Sequence, residues 1–183
     1  MLFDRDDTLI ADVPYNGDPS KVRAVPGARA AVDEVRRHGI PVGVVTNQSG
    51  IGQGLLSAHQ VAAVNAEVTR RLGPFQVWEI CPHTAADGCA CRKPRPGMLL
   101  AACRRLGVDP ALSVYIGDIG ADMDAAEAAG ARGILVPTAR TRAEEIAAAE
   151  TVAETLGEAV QIALAWSMGR DPVAASTDRG ELR

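Results

Sequence analysis

Short apolar runs alternate with helical stretches along most of this chain, and that alternation limits what it can fold into more than any other feature. The runs cover 41–46, 75–80, 112–117 and 133–137, each bounded by turn residues. Between them, residues 26–38 carry Ala28, Ala31, Val32 and Val35 at helical spacing and end at Gly39. The stretch 57–72 opens on Ser57 with Gln60 three residues on, the capping-box pattern of a helix start. The stretch 96–106 begins with Pro96 and stops at Gly107, 121–129 stops at Gly130, and 154–166 is the last helical segment. The pattern predicts an α/β fold: a mostly parallel central sheet, covered on both faces, with right-handed crossovers. In such sheets ligands bind beyond the carboxyl ends of the strands, so the residues just after each run are the ones to read for chemistry.

The opening strand is unusual. Only Met1, Leu2 and Phe3 precede Asp4, against the usual five or so residues of a strand. It is either a short strand or the end of one that begins further upstream. No internal repeat interrupts the pattern, and 1–167 is expected to form a single domain. The polar tail 168–183 is expected to be poorly ordered.

Composition excludes several classes. A length of 183 residues suits one domain with a sizeable core. Aromatics are 3% of the chain, so that core must be aliphatic. The net charge is −4 with no basic stripe, which argues against a nucleic-acid partner. No apolar run approaches the roughly 20 residues of a membrane helix, and residues 1–7 lack the features of a signal peptide. The expectation is a cytoplasmic monomer that acts on a small molecule. In a reducing compartment, cysteines read as metal ligands or buried hydrophobes, not disulfides.

Four strand ends carry the chemistry. The first is Asp4-Arg5-Asp6-Asp7-Thr8, where carboxylates two residues apart point the same way on extended backbone and suit Mg²⁺. The second, Thr46-Asn47-Gln48-Ser49-Gly50, brings a hydroxyl, an amide and a turn of N–H donors that suit phosphate. After the third comes Arg92-Lys93-Pro94, a cation beside a strand end. The fourth ends in Gly117-Asp118-Ile119-Gly120-Ala121-Asp122, two carboxylates four apart at a helix start. Taken singly, each also reads as a solvated turn, a helix cap or a surface lysine.

Between the third run and Lys93 lie Cys81, His83, Cys89 and Cys91. One imidazole and three thiolates within so short a span form a closed tetrahedral set of the structural zinc kind. Cys103, inside a helical stretch, reads as a small buried hydrophobe.

Asp4, Thr46, Lys93 and Asp118, each after a candidate strand and in that order, resemble the four motifs of the haloacid-dehalogenase-like (HAD) superfamily: D-x-D-x-T, a strand-end Ser/Thr, a Lys, and G-D-x-x-x-D. The resemblance implies a HAD-like three-layer fold and a Mg²⁺-dependent phosphatase. Asp4 would be its nucleophile and Asp6 its general acid and base. Arg5, Thr46, Asn47, Arg92 and Lys93 would bind substrate. Asp4, Asp6 (through its backbone carbonyl) and Asp118 would ligate Mg²⁺, with Asp122 behind them. The strings Cys81-Pro82-His83 and Cys91-Arg92-Lys93-Pro94, with Thr46-Asn47-Gln48-Ser49-Gly50-Ile51, resemble the subgroup of heptose-bisphosphate phosphatases and the phosphatase part of histidinol-phosphatase proteins. That subgroup lacks a large cap domain, and no domain-sized insertion occurs here. The site is therefore expected to be open and shaped by the zinc loop and by 14–24.

Three positions depart from the pattern. Asp7 stands where Gly is usual, five residues separate His83 from Cys89, and Ile119 follows Asp118 where the heptose phosphatases often carry Lys. The substrate implied first is a heptose bisphosphate losing its C7 phosphate. Histidinol phosphate, another sugar phosphate, or a non-catalytic metabolite-binding module remain open.

Overall fold

The protein is described here from a computed structural model covering residues 1–169. The strands are β1 (Leu2–Phe3), β2 (Gly43–Asn47), β3 (Val77–Cys81), β4 (Val114–Gly117) and β5 (Arg132–Leu135). All pair in parallel, in the order β3-β2-β1-β4-β5. The helices are α1 (Ala28–Arg37), α2 (Ala58–Leu72), α3 (Gly97–Leu106), α4 (Gly120–Ala129), α5 (Ala143–Ala148) and α6 (Leu156–Ser167).

The period of two along each strand divides the core into two layers. Phe3, Val44, Ile116 and Ile134 face one side and pack on α1, α2 and α6 through Val32, Val35, Val64, Val68, Val160 and Leu164. Leu2, Val45, Val77 and Tyr115 face the other and pack on α3 and α4 through Met98, Leu99, Ala102 and Ala125. Both layers are nearly all aliphatic, as the scarcity of aromatics requires. The α/β class and the three-layer architecture expected from the alternation are present.

β1 is central and has only two residues in ladder register, yet it pairs on both sides: Leu2 with Gly43 and Tyr115, Phe3 with Val44 and Ile116. The Asp4 N–H extends the pairing by donating to the Ile116 carbonyl at 2.8 Å. This central place puts Asp4 at the middle of the carboxyl edge.

Two details differ from the sequence reading. α5 was not anticipated; it is a helix of only six residues with no buried face, so it leaves no apolar periodicity to read. β5 begins at Arg132 and ends at Leu135, earlier than its apolar residues indicate, because an edge strand can start on an exposed polar residue. The expected tail falls largely outside the described residues.

The capping box at α2 forms in full. Ser57 Oγ accepts from the Gln60 N–H at 3.2 Å, and Gln60 Oε1 accepts from the Ser57 N–H at 2.9 Å. Ser57→Ala is expected to cost about 1 kcal/mol. That corresponds to a drop in Tm of about 2–4 °C, readable by calorimetry. No helix among the described residues is long and apolar enough to cross a membrane.

Candidate active site and thiol cluster

Side chains from the end of β1, from β4 and from the first turn of α4 converge on one buried ammonium. Lys93 Nζ donates to Asp4 Oδ1 at 2.7 Å, to Asp122 Oδ1 at 2.6 Å and to the Tyr115 hydroxyl at 2.9 Å, so all three of its protons are used. Burial by itself would lower the Lys93 pKa, but the carboxylates of Asp122 and Asp4 outweigh it and hold the pKa above the ordinary lysine value. Its backbone is fixed by Asn47: Oδ1 accepts from the Lys93 N–H at 3.1 Å, and Nδ2 donates to the Lys93 carbonyl at 3.3 Å.

Asp122 does two jobs from the first turn of α4. Oδ1 faces Lys93, while Oδ2 accepts from the backbone N–H groups of Asp118 and Ile119 at 3.1 and 3.2 Å. It thereby shapes the turn that aims Asp118. Gly117 makes room for it, since a Cβ there would lie 2.4 Å from the Asp122 carboxylate. Asp118 is held further by Thr141, whose hydroxyl donates to its carbonyl at 2.7 Å, and by Thr8, at 3.4 Å from Oδ1.

The ligand oxygens of Asp4, Asp118 and Asp122 all lie within 4.8 Å of one another. Three buried carboxylates surround a single lysine, leaving an excess of negative charge. Burial, with Asp122 and Asp6 adding to it against Lys93, pushes the Asp4 carboxyl up to about 7. Burial and the neighbouring Asp4 and Asp122 push Asp118 up to about 8. A hard divalent cation with oxygen ligands is what such a cluster accommodates. Asp122 has both oxygens engaged by protein donors, whereas Asp4 Oδ2 has no hydrogen bond among the described residues.

Asp6 stands outside that cluster. Its Oδ2 accepts from Arg5 at 2.9 Å and from Gln48 Nε2 at 2.9 Å, and Arg5 Nε lies 3.2 Å from Oδ1. The same Gln48 amide donates to Thr46 Oγ1 at 3.0 Å, which ties the ends of β1 and β2 together.

Arg5 and Arg92, expected to bind substrate, both have protein partners. Arg5 is buried and its guanidinium clamps Asp6, with Nη1 donating to Asn65 Oδ1 at 2.8 Å. Arg92 turns back into the cysteine loop, where Nη1 donates to the His83 carbonyl at 3.3 Å. The Arg5 guanidinium is engaged through all three of its nitrogens, whereas Arg92 makes only this one side-chain hydrogen bond among the described residues and is half-buried.

Asp7 takes the left-handed backbone, φ 54°, that Gly would adopt without cost. Its Oδ1 accepts from the Asp12 N–H at 2.8 Å, a local bond of the kind that lets Asp tolerate this region. Its charge is met by Arg140, 3.5 Å from Oδ2, which also pairs with Asp12.

Sequence reasoning missed Tyr115, Gln48 and Asn65. Asn65 had a signal: a polar residue on the apolar α2 face formed by Val61, Val64 and Val68. Gln48 sat inside a string already singled out. Tyr115 had none, because its role depends on the α3–α4 side of the sheet bringing Lys93 to it.

A cleft of about 270 Å³ opens beside this machinery, lined by Asp6, Tyr15, Asn16, Asn47, Gln48 and Ser49 among others. A larger cavity of about 690 Å³ lies between α4, α5 and Trp166. None of Asp4, Asp6, Lys93 and Asp118 lines it, whereas the smaller cleft is lined by Asp6 with Arg5, Asn47 and Gln48.

The thiol cluster follows β3. Cys91 Sγ lies 3.1 Å from Cys81 Sγ, 3.4 Å from Cys89 Sγ and 3.1 Å from His83 Nδ1; Cys81 Sγ lies 3.7 Å from Cys89 Sγ and 3.6 Å from His83 Nδ1. Four donor atoms so close together can hold one metal ion. Burial, reinforced by the Cys91 thiol, pushes the Cys81 thiol up to about 12, while burial of Cys89 is outweighed by the Arg92 N–H and the neighbouring thiols, which bring it down to about 6. The Arg92 N–H points at Cys89 Sγ at 3.4 Å, joining the cluster to the residue before Lys93.

Known proteins are similar to this chain in sequence and fold. The HAD-hydrolase-like family profile matches residues 90–159. D-glycero-beta-D-manno-heptose-1,7-bisphosphate 7-phosphatase of Mesorhizobium japonicum is 40% identical over 148 residues, 74% of this chain and 68% of that protein. The corresponding alpha-anomer phosphatase of Mycobacterium bovis is 34% identical over 133 residues, 69% of this chain and 70% of that protein. The crystal structure of D,D-heptose 1,7-bisphosphate phosphatase from B. bronchiseptica, complexed with magnesium and phosphate, superposes with a TM-score of 0.80 at 31% identity, covering 90% of this chain and 97% of that one. With relatives of this identity and coverage, carrying this fold, the chain belongs to the HAD-like hydrolases and is a phosphatase.

Proposed function

We propose that this phosphatase removes the C7 phosphate of D-glycero-D-manno-heptose 1,7-bisphosphate through an aspartyl-phosphate on Asp4. The observation that carries the reaction is the placement of Asp4: buried, fixed through Oδ1 by Lys93, with Oδ2 unbonded among the described residues and Asp118 in the same carboxylate cluster. The substrate is inferred from the named relatives, both anomers being represented among them.

In this reading Asp4 Oδ2 attacks phosphorus and the ester oxygen leaves, taking a proton from Asp6. Asp6, now a carboxylate, takes a proton from water, the water oxygen bonds to phosphorus, and Asp4 is released with inorganic phosphate. Arg5 and Gln48 are positioning residues that hold Asp6 over the leaving group. Lys93 places a positive charge beside Asp4 where negative charge develops on the phosphoryl group, and the Thr46 hydroxyl faces the same strand end. Asn47 fixes the Lys93 backbone. Asp4, Asp118 and the Asp6 backbone carbonyl would hold Mg²⁺, with Asp122 orienting Asp118. Bound there, Mg²⁺ supplies charge neutralisation to the phosphoryl group.

The thiol cluster supports a structural zinc. Zinc–sulfur bonds of about 2.3 Å place tetrahedral sulfurs about 3.8 Å apart. The sulfur separations of 3.1 to 3.7 Å approach that figure. With four protein ligands no position remains for a reacting water.

The test is phosphate release with Mg²⁺ across both anomers of the heptose bisphosphate, histidinol phosphate and fructose 1,6-bisphosphate. The heptose bisphosphate is expected to exceed the others in kcat/KM by about 100-fold or more. Preference for histidinol phosphate would keep the chemistry and replace the substrate.

A further inference from the structure

The carboxyl edge of the sheet is crowded with carboxylates and has few cations. Lys93 lies between Asp4 and Asp122, and Arg5 clamps Asp6. Asp7 and Asp12 remain. Among the described residues their one ion-pair partner is Arg140, whose Nη1 faces both and lies 3.5 Å from Asp7 Oδ2. Arg140 belongs to none of the four strand-end strings. It sits in the segment between β5 and α5.

That segment is tied to the site at a second point. The Thr141 hydroxyl donates to the Asp118 carbonyl at 2.7 Å and accepts from the Thr138 N–H at 2.8 Å, while the Arg140 N–H donates to Thr138 Oγ1 at 3.2 Å. Arg140 is thus one residue from a direct contact with Asp118, and Asp7 directly follows Asp6. Their fields overlap at the carboxylate cluster. Asp118, raised chiefly by burial and by Asp4 and Asp122, is raised further by Asp7. Arg140, stabilised first by its bond to Asp12 and by the charges of Asp12 and Asp7, is stabilised also by Asp118. Asp7 cannot swing away if its partner is lost, because its Oδ1 accepts from the Asp12 N–H at 2.8 Å. The Arg140 side chain is 59% exposed, and an exposed pair adds little to stability. Its consequence lies in the field it sets beside the cluster.

We propose that Arg140 is a positioning residue of this phosphatase: by neutralising Asp7 it sets the balance between the site's affinity for a divalent cation and its affinity for a phosphate anion. This rests on the reading of the carboxylate cluster as a Mg²⁺ site. The site must take up both a cation and an anion. An uncompensated carboxylate beside it favours the first and opposes the second. Loss of Arg140 therefore moves the two affinities in opposite directions. A loosened loop would weaken both.

The experiment titrates Mg²⁺ into the protein alone, and inorganic phosphate into the Mg²⁺-loaded protein, both by calorimetry, with thermal unfolding run in parallel to show that each variant is folded. Arg140→Gln is expected to bind Mg²⁺ about threefold more tightly and phosphate about threefold more weakly than the parent, on the scale of one partly screened charge. Both shifts should shrink between about 0.1 M and about 1 M salt, as the Debye length falls from roughly 10 Å to 3 Å. Arg140→Lys, which keeps the charge, should stay near the parent. Asp7→Gly in the Arg140→Gln background restores the local charge and should return both affinities to within about 1.5-fold of the parent. Weakening of both ligands, no shift in either, or no restoration by Asp7→Gly would overturn the role of Arg140 while leaving the Mg²⁺ reading intact. Phosphate-ester hydrolysis by the parent that needs no divalent cation, with no Mg²⁺ bound, would overturn the Mg²⁺ reading and the role of Arg140 together.

Discussion

Asp4→Asn is expected to reduce kcat/KM by about 10⁴-fold or more on every phosphate ester, the scale seen when a covalent nucleophile is removed. An amide in place of the carboxylate cannot form the acyl phosphate, and nothing else in the cleft replaces it. The variant should still fold. Lys93 retains Asp122 and Tyr115, and an asparagine Oδ1 can accept the proton that Asp4 Oδ1 accepts at 2.7 Å. Acid-quenched parent enzyme should show a mass increment of one phosphoryl group on the peptide containing Asp4, and the variant none. Asp6→Asn gives an independent check on the division of labour. With an aryl phosphate, whose leaving group needs no proton, phosphorylation should survive while hydrolysis of the aspartyl-phosphate slows, so the phosphorylated form accumulates. Turnover by Asp4→Asn within about tenfold of the parent would remove Asp4 as nucleophile and reopen the non-catalytic reading.

The parts of the site that could be read from sequence are those fixed by position along a strand. Asp4, Thr46 and Asp118 each follow a strand, and a parallel sheet brings all strand ends to one edge whatever the loops do. Lys93 lies twelve residues beyond the end of β3, and the chain between is the thiol loop, so its arrival at Asp4 rests on loop closure. What could not be read was direction. Arg5, in a string rich in charges, suggested a substrate ligand, yet it points through the β1–α2 interface to Asn65 and Asp6. Arg92 beside Lys93 suggested another, and one of its N–H groups reaches back to the His83 carbonyl. A side chain's partner across the fold leaves little trace in local spacing. The same holds for Asp7, whose added charge near the site is countered by Arg140, more than a hundred residues away. The two-residue β1 was legible as short but not as central; its centrality comes from pairing with β2 and β4, a long-range property.

Removal of the metal from the thiol cluster is expected to lower kcat/KM by about 10- to 100-fold, the scale of losing an outer support of a catalytic group. The loop 82–92 contributes no buried hydrophobic residue to either core layer; of the four residues of the cluster only Cys81 is buried. The loop is held instead by the ligands and by polar bonds that depend on them: Arg92 N–H to Cys89 Sγ, Arg92 Nη1 to the His83 carbonyl, and Arg95 to the carbonyls of Gly88 and Cys89. Without a cation the three thiols and His83 share no central partner, and the loop is expected to open. Lys93 then loses its upstream anchor. It does not lose the Asn47 clamp or its own three bonds, so the loss is partial and should appear mainly in kcat. Cys91→Ser, or a zinc-selective chelator with Mg²⁺ in excess, should release about one equivalent of zinc and lower Tm by several degrees, with activity restored by zinc and not by further Mg²⁺. Complete loss of activity would mean the loop is needed to place Lys93 at all, making the Asn47 clamp insufficient. Unchanged activity with the metal gone would show that Asn47 and the Asp4–Lys93–Asp122 network set the lysine by themselves, leaving the cluster a role confined to stability.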